Sequence, residues 1–500
     1  MRKSGILMHI TSLPGPYGIG TMGKPAREFV DFLKKSGQSL WQILPLSPTG
    51  YGDSPYQSCS AYAGNHYLID LDELIREGLL TQNEVSSVTW CVSEEKADFG
   101  ILHNNRLPVL KKAFARFTNW QKLDEFCQIN SDWLPDFALF MALKDENSGK
   151  PWYQWPEKLK TRQPDAVWQA RHRLQDAIRF YSFMQYLFDM QWQSLRQYAA
   201  DAGIQIIGDV PIYVPLDSAD VWSAPELFQL DETLTPTAVA GVPPDAFTAD
   251  GQLWGNPLYR WDVHKKDGFS WWLRRLTAAG KRYDIIRLDH FRAFEAYWSV
   301  PYGDETARNG HWVKGPDMDF VKAVKEGLPQ LSIIAEDLGF LTEEVLSLRD
   351  NSGWPGMKVL EFAFDGREPS DYQPHTYIKN SVCYTGTHDN MTMRQWFETA
   401  TEDAVAFAKA YMGLTEAEGY VWGTIRTAMA SVSDICIVQL QDYLNLPGTA
   451  RMNFPGTMGS NWTWRAKRGV MTDDLAKRID KLTTLYCRKP IETEKNDYEL

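Results

Sequence analysis

The chain has 500 residues, 44% of them hydrophobic and 23% charged, a balance that belongs to a folded globular protein and excludes a disordered or low-complexity one. Its formal net charge of -12 repels phosphate backbones and anionic lipid, so neither nucleic acid nor a membrane surface is an expected partner, and a neutral substrate fits better. Cys59, Cys91, Cys127, Cys383, Cys436 and Cys487 form no close CxxC pair, which argues against a zinc site or a disulfide scaffold and for reduced thiols.

Read from the start, MRKSGILMHITSLPG has two basic residues, but its apolar run breaks too early for a signal-peptide core or a membrane span, and a cytoplasmic protein is expected. Short apolar runs that end in polar residues then recur along the chain: GILMHI (5–10), LWQILPL (40–46), IQIIGDV (204–210), YDIIRLD (283–289), LSIIAED (331–337), MKVLEFAF (357–364), SVCYTGTHD (381–389) and ICIVQLQDY (435–443). Read as buried parallel strands, these eight predict an α/β fold, a (β/α)8 TIM barrel with its active site at the C-terminal strand ends. PAREFVDFLKKSG predicts a helix opened by Pro25 and stopped at Gly37, and the spacing of Ile178, Tyr181, Phe188, Trp192 and Leu195 predicts a long amphipathic helix up to Gly203.

A bare barrel needs roughly 30 residues per unit, but about 160 separate the second and third strands and about 75 the third and fourth. The expected organisation is therefore a single catalytic barrel over 1–500 with two insertions. The first, 66–170, is mostly helical and Trp-rich. The second, 211–275, contains AVAGVPPDAFTADGQLWGNPLYRW (238–261), whose Pro and Gly content reads as a long lid loop instead of regular structure. No separate C-terminal β-domain is expected. The 20 Trp, 22 Tyr and 23 Phe suit both cores and the flat faces of sugar rings.

Asp209, Asp289, Glu336 and Asp389 each fall at or near the end of a predicted strand, so the barrel would converge them. Glycoside cleavage needs one protonated acid for the leaving oxygen and one ionised carboxylate at the anomeric carbon. Arg287 and Asp289, two apart, point the same way on a strand, so the guanidinium can hold Asp289 ionised as a nucleophile; a structural ion pair is the alternative. Glu336 and Asp337 are adjacent and face opposite ways, and Glu336 is the one assigned to the pocket. His388 and Asp389 could grip neighbouring sugar hydroxyls or simply form a charged turn; no second His or Cys lies at ligand spacing, and no metal or cofactor is expected. Asp209, before a Pro-containing turn, could merely cap it.

Across almost the whole chain, TSLPGPYGIG (11–20), WQILPLSPTGYGDSPYQ (41–57), GDVPIYV (208–214), GVPPDAF (241–247), WGNPLY (254–259), RLDHFRAF (287–294), AEDLG (335–339), GTHDN (386–390) and RMNFPGT (451–457) resemble the amylomaltases, the 4-α-glucanotransferase branch of the α-amylase clan. The resemblance implies that Asp289 is the nucleophile, Glu336 the acid/base and Asp389 the carboxylate steadying the oxocarbenium-like transition state. It further implies that Arg287 and His388 contact the sugar at the cleavage point with Tyr51 stacked on it, Tyr56 belonging to the same motif. Asp245, Phe247 and Trp254 would lie in the loop covering the glucan. Ala293 and Met391 depart from the pattern, where Gly and an acidic residue are expected, and bear on substrate fit alone. The activity implied is transfer of α-1,4-glucan segments between maltooligosaccharides or starch-type glucans, with glucose or maltooligosaccharide acceptors. An α-glucan hydrolase, a non-catalytic glucan-binding protein and a phosphate-dependent sugar enzyme are the other readings, the last disfavoured by the lack of a Gly-rich phosphate cradle.

Overall fold

Short aliphatic runs buried on both faces become parallel strands because each can hide its side chains only between a neighbour, a filled interior and an outer helix. The computed structural model describes residues 2–50, 52–244, 248–339, 341–364, 370–457 and 459–490. Twelve strands are defined among them: β1 Lys3–Leu7, β2 Leu40–Gln42, β3 Gln205–Val210, β4 Ala238–Val242, β5 Gln252–Pro257, β6 Ile285–Leu288, β7 Ala296–Pro301, β8 His311–Lys314, β9 Ser332–Ala335, β10 Gly356–Val359, β11 Ser381–Tyr384 and β12 Ile435–Gln439.

Eight of them form one parallel sheet in the order β10-β11-β12-β1-β2-β3-β6-β9. That is chain order, wrapped round, so the sheet is a nearly closed (β/α)8 barrel. Each of the eight predicted runs supplies one strand, but most strands stop short of their run's C-terminal residues, which turn into the loops above the barrel. The join between β9 and β10 is made by the Ala335 N–H donating to the Pro355 carbonyl (3.0 Å) and the Met357 N–H donating to Asp337 (2.7 Å). Arg349 holds the other oxygen of that carboxylate at 2.8 Å. Asp337, turned away from the barrel mouth, is thus the clasp of the sheet. Side chains are excluded where the wall is tight: a Cβ at Gly208 in β3 would sit 2.1 Å from the Tyr283 ring.

The helix Lys24–Lys35 starts with Pro25 in its first turn, ends with Lys34 and Lys35 against the negative end of its dipole, and buries Ala26, Phe29, Val30 and Leu33. Gly37 follows in the left-handed conformation (φ 68°). The long helix spans Gln175–Asp201 and docks the chain leaving β2 through two side chains. Gln185 bonds both backbone groups of Gly64 (2.7 and 2.9 Å), and Gln191 does the same for Asp70 (2.7 and 3.1 Å). Between β2 and that helix lie further helices, among them Phe99–Arg116, Trp120–Ile129 and Leu134–Glu146. Their aromatic rings mostly pack inward: Trp152 and Trp155 are buried, and Trp168 alone of the Trp rings here stands well out at 61% exposure.

The segment 238–261, expected to be one long loop, instead carries β4 and β5. They pair antiparallel, and β4 pairs on its other edge with β7, giving a second sheet in the order β5-β4-β7-β8. Composition misled here because the partner strand that fixes β4 lies more than fifty residues downstream, and Pro and Gly counts carry no information about a distant ladder. No helix among the described residues is long and apolar enough to cross a membrane.

Replacing Asp337 with Ala should lower unfolding stability by about 3 kcal/mol in a urea titration, since it strips a buried nitrogen of Arg349, whose guanidinium is otherwise held by the half-exposed Asp350, and the Met357 N–H of their acceptor. A loss below about 1 kcal/mol would mean that the β9–β10 join does not depend on this carboxylate.

Candidate active site

The register of β3 against β6 sets Asp209 directly beside Arg287, and that of β6 against β9 sets Leu288 beside Ala335. The ladder runs one residue further: the Asp289 N–H donates to the Val210 carbonyl (3.0 Å) and the Glu336 N–H to the Leu288 carbonyl (3.1 Å). Asp289 and Glu336 therefore leave the tops of adjacent strands with fixed backbones. Arg287, buried between them, donates through one nitrogen to both oxygens of Asp209 (2.9 and 2.7 Å) and to Asp289 (2.8 Å), and its other terminal nitrogen lies 3.9 Å from Glu336. One guanidinium thus touches three carboxylates.

Glu336 is held by backbone donors. The His290 N–H reaches one oxygen at 2.6 Å and the Leu338 N–H the other at 2.8 Å. His290 takes the left-handed conformation (φ 49°), a rare state for a residue with a Cβ, at the turn that sends its N–H towards the carboxylate. On the other side of the mouth, the loop after β11 is braced by Asn390, which accepts from Thr387 N–H (2.9 Å) and hydroxyl (2.8 Å). His388 lies 3.3 Å from Asp389 and stacks on Tyr56 at 5.0 Å between centroids, and the Tyr56 hydroxyl donates to Asp209 at 2.8 Å. The Asn453 amide donates to Asp389 at 2.6 Å, and Arg451 to its backbone carbonyl at 2.6 Å.

These surroundings split the three acids. Burial pushes Glu336 up to about 7 against the opposing pull of Arg287. Burial also pushes Asp289 up, to about 6, although Arg287 touches it. Arg287 pulls Asp289 towards the ionised form a nucleophile needs, while the dry site and the second carboxylate on the same cation, Asp209, pull it the other way. Asp289 remains the more acidic of the two, with the shorter contact to Arg287 and 24% of its side chain open against 9% for Glu336. Burial would raise Asp389 as well, yet His388 and Asn453 prevail and hold it down at about 2. For His388 burial acts to lower the ring, but the Asp389 charge wins and raises it.

Of the residues singled out in the sequence, the barrel mouth gathers Asp289, Glu336, Asp389, Arg287, His388 and Tyr56. Trp254, on β5, sets its ring edge-on to His290 at 4.8 Å between centroids, beside this group. Tyr51, Asp245 and Phe247 lie outside the described residues. Asp209 is drawn to the group but is fully enclosed by Arg287 and Tyr56, so it faces no ligand. Asn453 and the Trp462 ring, 5.8 Å from His388, were not picked out. Asn453 stood inside the quoted RMNFPGT stretch, while nothing marked Trp462 among twenty Trp.

An eight-stranded parallel barrel with carboxyl groups of separated acidity at neighbouring strand ends is the framework of an enzyme that works on glycosidic bonds. The family model described as 4-alpha-glucanotransferase matches residues 8–472. The 4-alpha-glucanotransferase of Clostridium butyricum is 48% identical over 485 residues, covering 96% of this chain and all of that one. That of Streptococcus pneumoniae serotype 4 is 46% identical over 492 residues, 97% of each chain. Among solved structures, the amylomaltase from Streptococcus agalactiae in complex with acarbose superposes with a TM-score of 0.96 at 43% identity, over 98% of this chain and 100% of that one. The chain belongs to the 4-alpha-glucanotransferase family and is an enzyme of that activity.

Asp209→Asn should lower kcat/KM by roughly 30- to 150-fold with the fold intact, because it removes a charged partner worth about 2–3 kcal/mol from the guanidinium that spans the site. An unchanged kcat/KM would show that Arg287 is positioned without it.

Proposed function

We propose that this enzyme cleaves an α-1,4 bond of a maltooligosaccharide or starch-type glucan and passes the freed segment to the 4-hydroxyl of an acceptor sugar, with Asp289 as nucleophile and Glu336 as general acid/base. The observation that carries the assignment is the single guanidinium of Arg287 set 2.8 Å from Asp289 and 3.9 Å from Glu336, which gives two neighbouring carboxyls different acidities. That the streptococcal amylomaltase was solved in complex with acarbose supports a carbohydrate ligand for this chain.

In the first step the Asp289 oxygen attacks the anomeric carbon as the glycosidic oxygen leaves with the Glu336 proton, forming a glycosyl ester. In the second, Glu336 takes the proton of the acceptor 4-hydroxyl as that oxygen displaces Asp289, so two inversions retain the α configuration. Asp389, ionised through the working pH range, faces the positive charge that builds on the ring, and with His388 it offers hydrogen bonds to adjacent hydroxyls. Tyr56, locked by Asp209 below and His388 beside it, supplies a flat wall at this point. The β4–β5 hairpin with Trp254 covers the bound glucan and excludes water, which favours transfer over hydrolysis.

With maltotriose alone, the purified enzyme should give glucose and a ladder of shorter and longer products while total reducing ends stay constant, and Asp289→Ala should cost on the order of 10⁴-fold or more in kcat. Reducing ends that rise without longer products would make the reaction a hydrolysis. The same pair sets the pH profile. Below about 6 Asp289 takes up a proton and cannot attack, and above about 7 Glu336 loses the proton it must donate, so kcat/KM should be bell-shaped with its maximum between them. A flat profile across neutral pH would contradict the pairing. Phe247→Ser should raise the ratio of hydrolysis to transfer, and an unchanged ratio would remove the hairpin from water exclusion.

A further inference from the structure

A second concavity, a cleft of about 390 Å³ between the antiparallel sheet and the segment after β5, is lined by Gln229, Thr237, Tyr259, Trp261, Tyr297 and Lys314 among others. None of the groups at the barrel mouth reaches it. The two places are joined by β5: Trp254 stands beside His290 at the mouth, and Tyr259, five residues on, lines the cleft, a span of at most about 18 Å.

The cleft's chemistry defines what it can hold. The Trp261 ring is partly exposed and braced from behind, stacked on Trp272 (6.2 Å, 23°) and set against Tyr259 (4.9 Å), so it is an ordered flat face before any ligand arrives. Its indole N–H has no hydrogen-bond partner among the described residues. Gln229 donates to the Tyr259 carbonyl (3.1 Å) and the Tyr297 hydroxyl (3.2 Å), which leaves the Tyr297 proton free to donate. The two cations on the rim are already matched, Arg260 by Asp262 at 3.5 Å and Lys314 by Glu295. The site therefore has no unbalanced charge to attract a phosphate or a carboxylate. A rigid ring face, neutral hydrogen-bonding groups and a volume at the small-ligand end of the usual range suit a neutral sugar.

We propose that this cleft is a non-catalytic binding site for glucose units of a long glucan, anchoring the donor away from the cleavage point. The proposal rests on the glucan reading above and extends it to a second site. A chain long enough to occupy both places gains affinity by linkage, whereas a trisaccharide held in the barrel mouth does not.

Two variants test it. Trp261→Leu removes the ring face, with thermal unfolding as the check on folding because Trp261 also packs inward. Thr237→Arg blocks the cleft from an exposed position and removes no packed side chain. Both should leave kcat/KM for maltotriose unchanged, raise KM for amylose about five-fold, and abolish retardation in an amylose-containing native gel. Unchanged amylose KM and retardation in both variants would overturn the second site while leaving the barrel-mouth reading untouched. A wild-type enzyme inactive on both glucans and not retarded would instead overturn the glucan reading and this proposal with it. Loss of maltotriose and amylose activity in equal measure in Trp261→Leu, with Thr237→Arg unaffected, would assign Trp261 to packing and overturn the second site.

Discussion

The site is organised by one buried cation. Arg287 cannot shed its charge, and desolvating it is tolerable only because Asp209 takes one of its nitrogens with both oxygens while Asp289 and Glu336 approach from the open side. Three acids around one cation leave a surplus of negative charge in a dry place. Of the two that face the opening, Glu336 is the less solvated and the farther from Arg287, so it keeps its proton to a higher pH than Asp289, and the difference in role follows from a difference in hydration and contact distance.

Asp209 is the constraint that makes this arrangement static. Its position beside Arg287 is written into the β3–β6 register, and its second oxygen also receives the Tyr56 hydroxyl. A slip of one residue between those strands would turn Arg287 outwards. The barrel closure matters for the same reason. Glu336 is followed directly by Asp337, whose carboxylate ties β9 to β10 through Met357 and Arg349, so the residue that clasps the sheet also fixes the backbone of the proposed acid.

Acidity on the far side of the mouth is set by a different device. Asp389 is held ionised by His388, its neighbour, and by Asn453, 64 residues downstream. Trp254 comes from a third element, a hairpin whose edge pairs with β7 rather than with the barrel. The mouth is thus assembled from the barrel strands β3, β6, β9 and β11, the long loop after β2, the segment after β12 and the small sheet.

Sequence by itself determined the barrel. Eight apolar runs, each buried on both sides, can be read locally, because burial of a strand depends on its own residues, and alternation along one strand places Arg287 and Asp289 on the same side. It also determined membership in the family, through stretches long enough to be specific. Tertiary structure decided the rest. Asp209 looked like one more converging acid until its oxygens were found fully used by Arg287 and Tyr56, and β4 and β5 looked like loop until β7 supplied their ladder. The acidities of Asp289 and Asp389 depend on how much water and which partners surround them. Arg287 and His388 are near neighbours of those two acids in the chain, but Asn453 lies 64 residues from Asp389 and Asp209 reaches Arg287 from 78 residues away, where no local pattern can reach.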